Sequence, residues 1–150
     1  MTTGLWVLLG AVVLAVGFGC YRALTDGRFR GARRIRGAEA MPTEPTATAW
    51  SRVAAAAPAA ELGERATLVQ FSSAFCAPCR TTRRVLAGIA ESEHGVVHVE
   101  IDAELHLDLV RHLGVLRTPT TLLLGPSGQE LGRAGGVPTR EQVQRVLTDC

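Results

Sequence analysis

The feature that most limits what this chain can fold into is Cys76-Ala77-Pro78-Cys79, set between two segments of different periodicity. Before it, Leu68, Val69, Gln70 and Phe71 form the short, dense apolar run of a buried strand. After it, Val85, Leu86, Ile89 and Ala90 recur at helical spacing in a segment from Arg80 to Ala90. A strand must therefore end, and a helix begin, at the cysteine pair. Pro78 suits that junction, because the first turn of a helix tolerates a residue without an N–H. Two cysteines three positions apart can close a small ring, so the pair reads as a dithiol that exchanges with disulfides in other molecules.

The other cysteines do not extend this into a stapled scaffold. Cys20 lies in an apolar N-terminal run and Cys150 is the last residue, where an inert thiol is expected. A CxxC is also half a zinc site, but His94, His98, His106 and His112 come with no second CxxC and no zinc-finger spacing. Redox chemistry is favoured, with no metal and no cofactor assigned, and each histidine reads as an ordinary surface or half-buried side chain. At a helix tip, unpaired N–H groups and the helix dipole favour a thiolate, so Cys76 is expected to attack. Cys79, one turn further in, is expected to resolve the mixed disulfide. Arg80 would add positive field.

The N-terminus makes a separate demand. From Gly4 to Tyr21 there are 18 uncharged residues, and as a helix they would span ~27 Å, close to the hydrocarbon thickness of a bilayer. Residues 1–24 are therefore expected to form an uncleaved transmembrane anchor. A cleaved signal peptide would want basic residues ahead of the run and an A-x-A site after it, and a lipid-modified Cys20 would want a smaller residue than Phe18. The formal net charge of +2 conceals a cluster, since Arg22, Arg28, Arg30, Arg33, Arg34 and Arg36 all follow the apolar run and no basic residue precedes it. By the positive-inside rule the soluble part faces the cytoplasm at the cell membrane, carried by a single span. Such a cluster suits anionic headgroups, at about 1 kcal/mol per charge near the surface, better than nucleic acid. Residues 25–49, polar and broken by Gly31, Gly37, Pro42 and Pro45, read as a linker.

From Trp50 onward core-forming residues resume. Ser51 to Val53 is expected as a short edge strand, and Ala54 to Ala60 as a helix broken at Pro58 and ended near Gly63. Strands are expected at Thr67–Ser72, Val96–Ile101, Thr120–Leu124 and Glu130–Arg133. Helices are expected from the dithiol, at Leu105–Leu113 before Gly114, and at Thr139–Leu147, where Thr139 and Gln142 match a capping box. Asp102 reads as a strand-end or capping residue. The order β-α-β-α-β-β-α indicates an α/β fold, a mixed sheet flanked by helices.

With these elements in place, residues 50–150 resemble the thioredoxin family. The resemblance rests on LVQFSSAFCAPCR, on VEID at Val99–Asp102, on GVLRTPTTLLL from Gly114 to Leu124 and on GRAGGV from Gly132 to Val137. It implies a thioredoxin-like fold and a protein-disulfide reductase with Cys76 and Cys79 as its redox-active pair. Phe75, Ala77, Pro78, Thr118 and Pro119 would then contact substrate, with Pro119 at the place of the family's cis-proline. The implied partners are disulfide-containing proteins and a reductase or low-molecular-weight thiol as electron donor. Phe75 and Ala77 replace the family's usual tryptophan and glycine. Gln70 is the larger departure, because it stands where a buried aspartate assists proton transfer at the second cysteine. Two other readings keep the fold: an outward-facing reductant for cytochrome or secreted-protein assembly, and a docking module without turnover.

Overall fold

The computed structural model describes residues 2–25, 27–31 and 48–148. Its central element is β2 (Ala66–Ser72), all seven residues of which are buried. β2 pairs in parallel with β3 (Val96–Asp102) and antiparallel with β4 (Thr120–Leu124). A strand with neighbours on both edges and helices over both faces has no solvent side to satisfy, which is why its sequence is so densely apolar. β5 (Glu130–Gly135) continues the sheet antiparallel to β4.

Alternation of side chains along the strands divides the core into two layers. On one face α3 (Ala77–Ser92) and α5 (Arg140–Thr148) bring Leu86, Ile89, Val143 and Leu147 onto Ala66, Leu68, Val96 and Leu123. On the other, α2 (Ala49–Ala56) and α4 (Leu107–His112) bring Val53 and Leu109 onto Val69, Phe71, Val99, Ile101, Leu122 and Leu124. The capping box of α5 forms as expected: the Thr139 N–H donates to Gln142 Oε1 at 2.8 Å and the Gln142 N–H to Thr139 Oγ1 at 3.3 Å.

Three expectations change. Ser51–Val53 is not an edge strand but part of α2, whose N-terminus Thr48 caps by accepting the Ser51 N–H on Oγ1 at 3.2 Å. α2 stops at Ala56 rather than running to Gly63, because Pro58 disfavours helical backbone at the residue before it. α4 starts at Leu107, not Leu105; ahead of it Asp102 Oδ1 accepts the Glu104 N–H at 2.8 Å and holds the chain in a turn.

The N-terminal segment forms α1 (Thr2–Thr25), long and apolar enough over Gly4–Arg22 to cross a membrane, with mean hydropathy 2.1 and no part of that window buried. The chain beyond α1 is not all linker. The Gly27 N–H donates to the Gly135 carbonyl at 2.8 Å, and β1 (Arg30–Gly31) pairs antiparallel with Arg133 and Gly132, giving the order β1-β5-β4-β2-β3. Phe29 packs against the α3/α5 layer. Gly27 has φ +76°, and a Cβ there would run into the Val137 carbonyl, so only glycine fits. The sheet thus begins before the expected boundary at Trp50; the rest of the expected linker, 32–47, and Cys150 lie outside the described residues.

A chain starting at Thr48 should therefore be less stable than one starting at Gly27. The expected loss, from the Phe29 contact and the β1 hydrogen bonds, is about 1–3 kcal/mol in urea unfolding. The bared β5 edge should also promote association in sedimentation. Identical midpoints and identical mass would show that β1 contributes nothing.

Candidate active site

The strand-to-helix junction places the two cysteines. β2 ends at Ser72, residues 73–76 form the connection, and α3 opens at Ala77 with Cys76 as its N-cap. Cys76 and Cys79 are joined, S–S 1.99 Å and Cα–Cα 5.2 Å, so the structure shows the oxidised pair. The Cys79 N–H donates to Cys76 Sγ at 3.1 Å. That sulfur thus sits at the tip of α3, where the unpaired N–H groups of a first helical turn favour negative charge. Cys76 is half-buried while Cys79 is only 3% exposed. Cys76 is therefore the more accessible residue of the pair to an incoming disulfide.

The second wall comes from the loop before β4. The Thr118–Pro119 peptide bond is cis, as the resemblance implied, and Thr118 Oγ1 lies 3.2 Å from Ser73 Oγ, tying this loop to the dithiol loop. Pro119 is buried, and its carbonyl accepts the Gly136 N–H at 2.8 Å. Phe75, Ala77 and Pro78 form an exposed rim around Cys76, with Phe75 98% exposed. Leu116, 91% exposed, adds a second apolar side chain that sequence reasoning missed. Its signal was there, a leucine with no helical or strand partner two residues before Thr118-Pro119.

Beneath the pair lies Gln70, fully buried. Its Nε2 donates to the Cys79 carbonyl at 3.0 Å, which turns Oε1 toward His98 Nε2 at 3.2 Å. With the amide so fixed, His98 must donate from Nε2. Burial is the main influence on His98 and holds its pKa below the ordinary value; the nearby Glu100 charge opposes this and Arg83 adds to it. His98 is half-buried, as expected, and is in addition tied to the dithiol through the Gln70 side chain. Asking what could satisfy a buried amide on the neighbouring strand would have found it.

A cleft of about 240 Å³ opens beside the sulfurs, lined by Ser72, Cys76, Cys79, Arg80, Arg83 and Glu100. Glu100 accepts from Ser72 Oγ at 2.7 Å and pairs with Arg83 at 2.6 Å. Burial pushes its carboxyl up, but the hydrogen bonds from Arg83 and Ser72 outweigh that together, and its pKa lies below the usual value. A larger cleft of about 580 Å³ between α2 and α4 contains neither cysteine, so the chemistry belongs to the smaller one. Among the described residues no group of histidine, cysteine and carboxylate side chains is arranged to hold a metal ion.

A dithiol at a helix tip, walled by a proline loop on a mixed sheet, defines a thiol–disulfide oxidoreductase. The chain belongs to the thioredoxin family, whose family model matches residues 53–149. It is 30% identical over 88 residues to thioredoxin from Alicyclobacillus acidocaldarius, covering 58% of this chain and 83% of that protein. Human thioredoxin domain-containing protein 2 is 37% identical over 60 residues, 40% of this chain; the chain spans 11% of that much longer relative. Among solved structures, a thioredoxin from Nicotiana alata is 28% identical, covers 57% of this chain and 73% of its own length, and superposes with a TM-score of 0.51.

The buried polar pair can be tested in two ways. Gln70→Ala should cost about 2–4 kcal/mol, from the cavity and the unsatisfied Cys79 carbonyl. For His98 the folded pKa lies below the unfolded one, so the unfolded chain binds the extra proton. Stability is then full above the unfolded value near 6.5 and falls as pH drops through the folded value. Glu100, also lowered, adds a loss in the same direction at more acid pH. Urea midpoints of the wild type should decline from pH 7.5 to pH 5, and His98→Gln should flatten the part near pH 6; superimposable profiles would exclude His98 as the source.

Proposed function

We propose that this chain is a membrane-anchored reductase of protein disulfides working at the cytoplasmic face of the cell membrane. The observation that carries the chemistry is the helix-capping Cys76 joined to a shielded Cys79 beside the Pro119 loop. The anchor rests on α1, and the orientation on the arginines that come after it.

The cycle balances as two electrons. Cys76 thiolate attacks one sulfur of a substrate disulfide, forming a mixed disulfide and releasing the other sulfur as thiolate. Cys79, as thiolate, then attacks Cys76 Sγ, restoring the Cys76–Cys79 bond and releasing the second substrate sulfur. Gln70 is an amide and takes no proton, so the proton from Cys79 leaves through the cleft side, to solvent or to the released substrate thiolate. A flavin reductase or a low-molecular-weight thiol returns the two electrons. Phe75, Ala77, Pro78, Thr118 and Pro119 would line the bound substrate segment.

Cys79→Ser should accumulate substrate proteins as mixed disulfides on Cys76, visible on non-reducing gels and released by dithiothreitol. Cys76→Ser should trap none and lose insulin reduction. Absence of any trapped species with Cys76 intact would sink the reductase assignment and favour a docking module. A reporter fused after Cys150 should be active in the cytoplasm; activity only outside would reverse the orientation and leave the chemistry standing.

A further inference from the structure

We infer that β1 splices the anchor onto the dithiol end of the sheet, so that the substrates of this protein are disulfides of other membrane proteins lying close to the bilayer surface. This rests on the anchoring proposed above and adds where the sulfurs sit relative to it. Strand directions carry the inference. β2 runs toward the dithiol; β4 runs away from that end, starting at Thr120 opposite Phe71. β5 returns to it, placing Gly135 opposite Thr120, and β1 leaves it again, with Arg30 opposite Arg133. The N-terminal end of β1, where α1 joins, is thus the end that bears Cys76 and Pro119.

The local hydrogen bonds make the same connection. The Gly135 carbonyl accepts both the Gly27 N–H at 2.8 Å and Arg117 Nη2 at 3.0 Å, and the next residue, Gly136, donates to the Pro119 carbonyl at 2.8 Å. The chain therefore enters the sheet one residue from a direct bond to the proline loop. Thr25, the last residue of α1, and Gly27 are two residues apart, at most about 7 Å along the chain. β1 and β2 are three strand spacings apart, about 14 Å. Whatever the tilt of α1, its last residue and the β2 strand that leads into the dithiol are separated by only about 20 Å. A disulfide already held at the headgroup layer lies within that reach, whereas a soluble protein must fit between the site and the membrane. The surface at this end agrees: Phe75 and Leu116 are exposed, as are the arginines Arg22, Arg28, Arg80 and Arg117, suited to work beside anionic headgroups.

The test uses the full chain in proteoliposomes with single-span reporter peptides. Each carries a disulfide-linked fluorophore on a helical stalk, at about 10 Å or about 50 Å above the headgroups. The near disulfide should be reduced about tenfold faster than the far one, although both share the same membrane. Inserting a flexible Gly/Ser segment of about 20 residues between Thr25 and Asp26, before β1, should bring the two rates within about twofold. Equal rates for the natural chain, or an unchanged ratio after insertion, would overturn the inference. Alkaline extraction and insulin reduction on the same samples separate the causes. Release from the bilayer refutes the anchor and this inference together, whereas retained, insulin-active protein without height preference refutes this inference alone.

Discussion

The structure depends on one strand being wholly withdrawn from water. β2 is paired on both edges and covered on both faces, and every one of its residues is buried. Its apolar members, Leu68, Val69 and Phe71, each contribute about 1.5–3 kcal/mol of burial and fix its register through the pleat. That register decides that Gln70 points under α3 and that the chain leaves the sheet at Ser72, so the cysteine ring emerges at the edge of a rigid platform. The sulfurs at the start of α3 are held in place because β2 and α3, before and after the junction, pack into the same core.

Burial of Gln70 gives the site its particular chemistry. An amide placed in a dry interior must spend both its donor and its acceptor, and here it does so on the Cys79 carbonyl and on His98. The ionisable groups are displaced outward, His98 onto the neighbouring strand and Glu100 into the cleft wall, where Arg83 and Ser72 hold its charge. The ionisable side chains nearest to Gln70 thus lie on β3 and not directly beneath the dithiol.

Much of this was legible in the sequence because it depends on local rules. Thr120–Leu124 matched its strand to the residue, and Thr139 with Gln142 announced their capping box. The Cys-x-x-Cys junction and the loop at Pro119 were visible as well, since spacing and proline are written in order along the chain. What escaped was set by distant partners. The stretch from Arg28 to Gly31 carries no strand periodicity, and Arg30 and Gly31 pair only because β5, a hundred residues later, offers an open edge. Ser51–Val53 was expected as an edge strand, yet the Thr48 cap and the contacts of Val53 with the core make it helical. The tie from Gln70 to His98 joins residues 28 positions apart, and the two acquire their relation only through the parallel register of β2 and β3.

The sheet order leaves β3 at a margin, paired on one side only among the described residues. An open strand of seven residues is a template on which a second copy can add. β3 carries His98, Glu100 and Asp102 at alternate positions along it. Glu100 and Asp102 would set carboxylate against carboxylate if identical strands stacked in register. Two carboxylates that border the dithiol cleft, Glu100 and Asp102, would thus disfavour such stacking by like-charge repulsion.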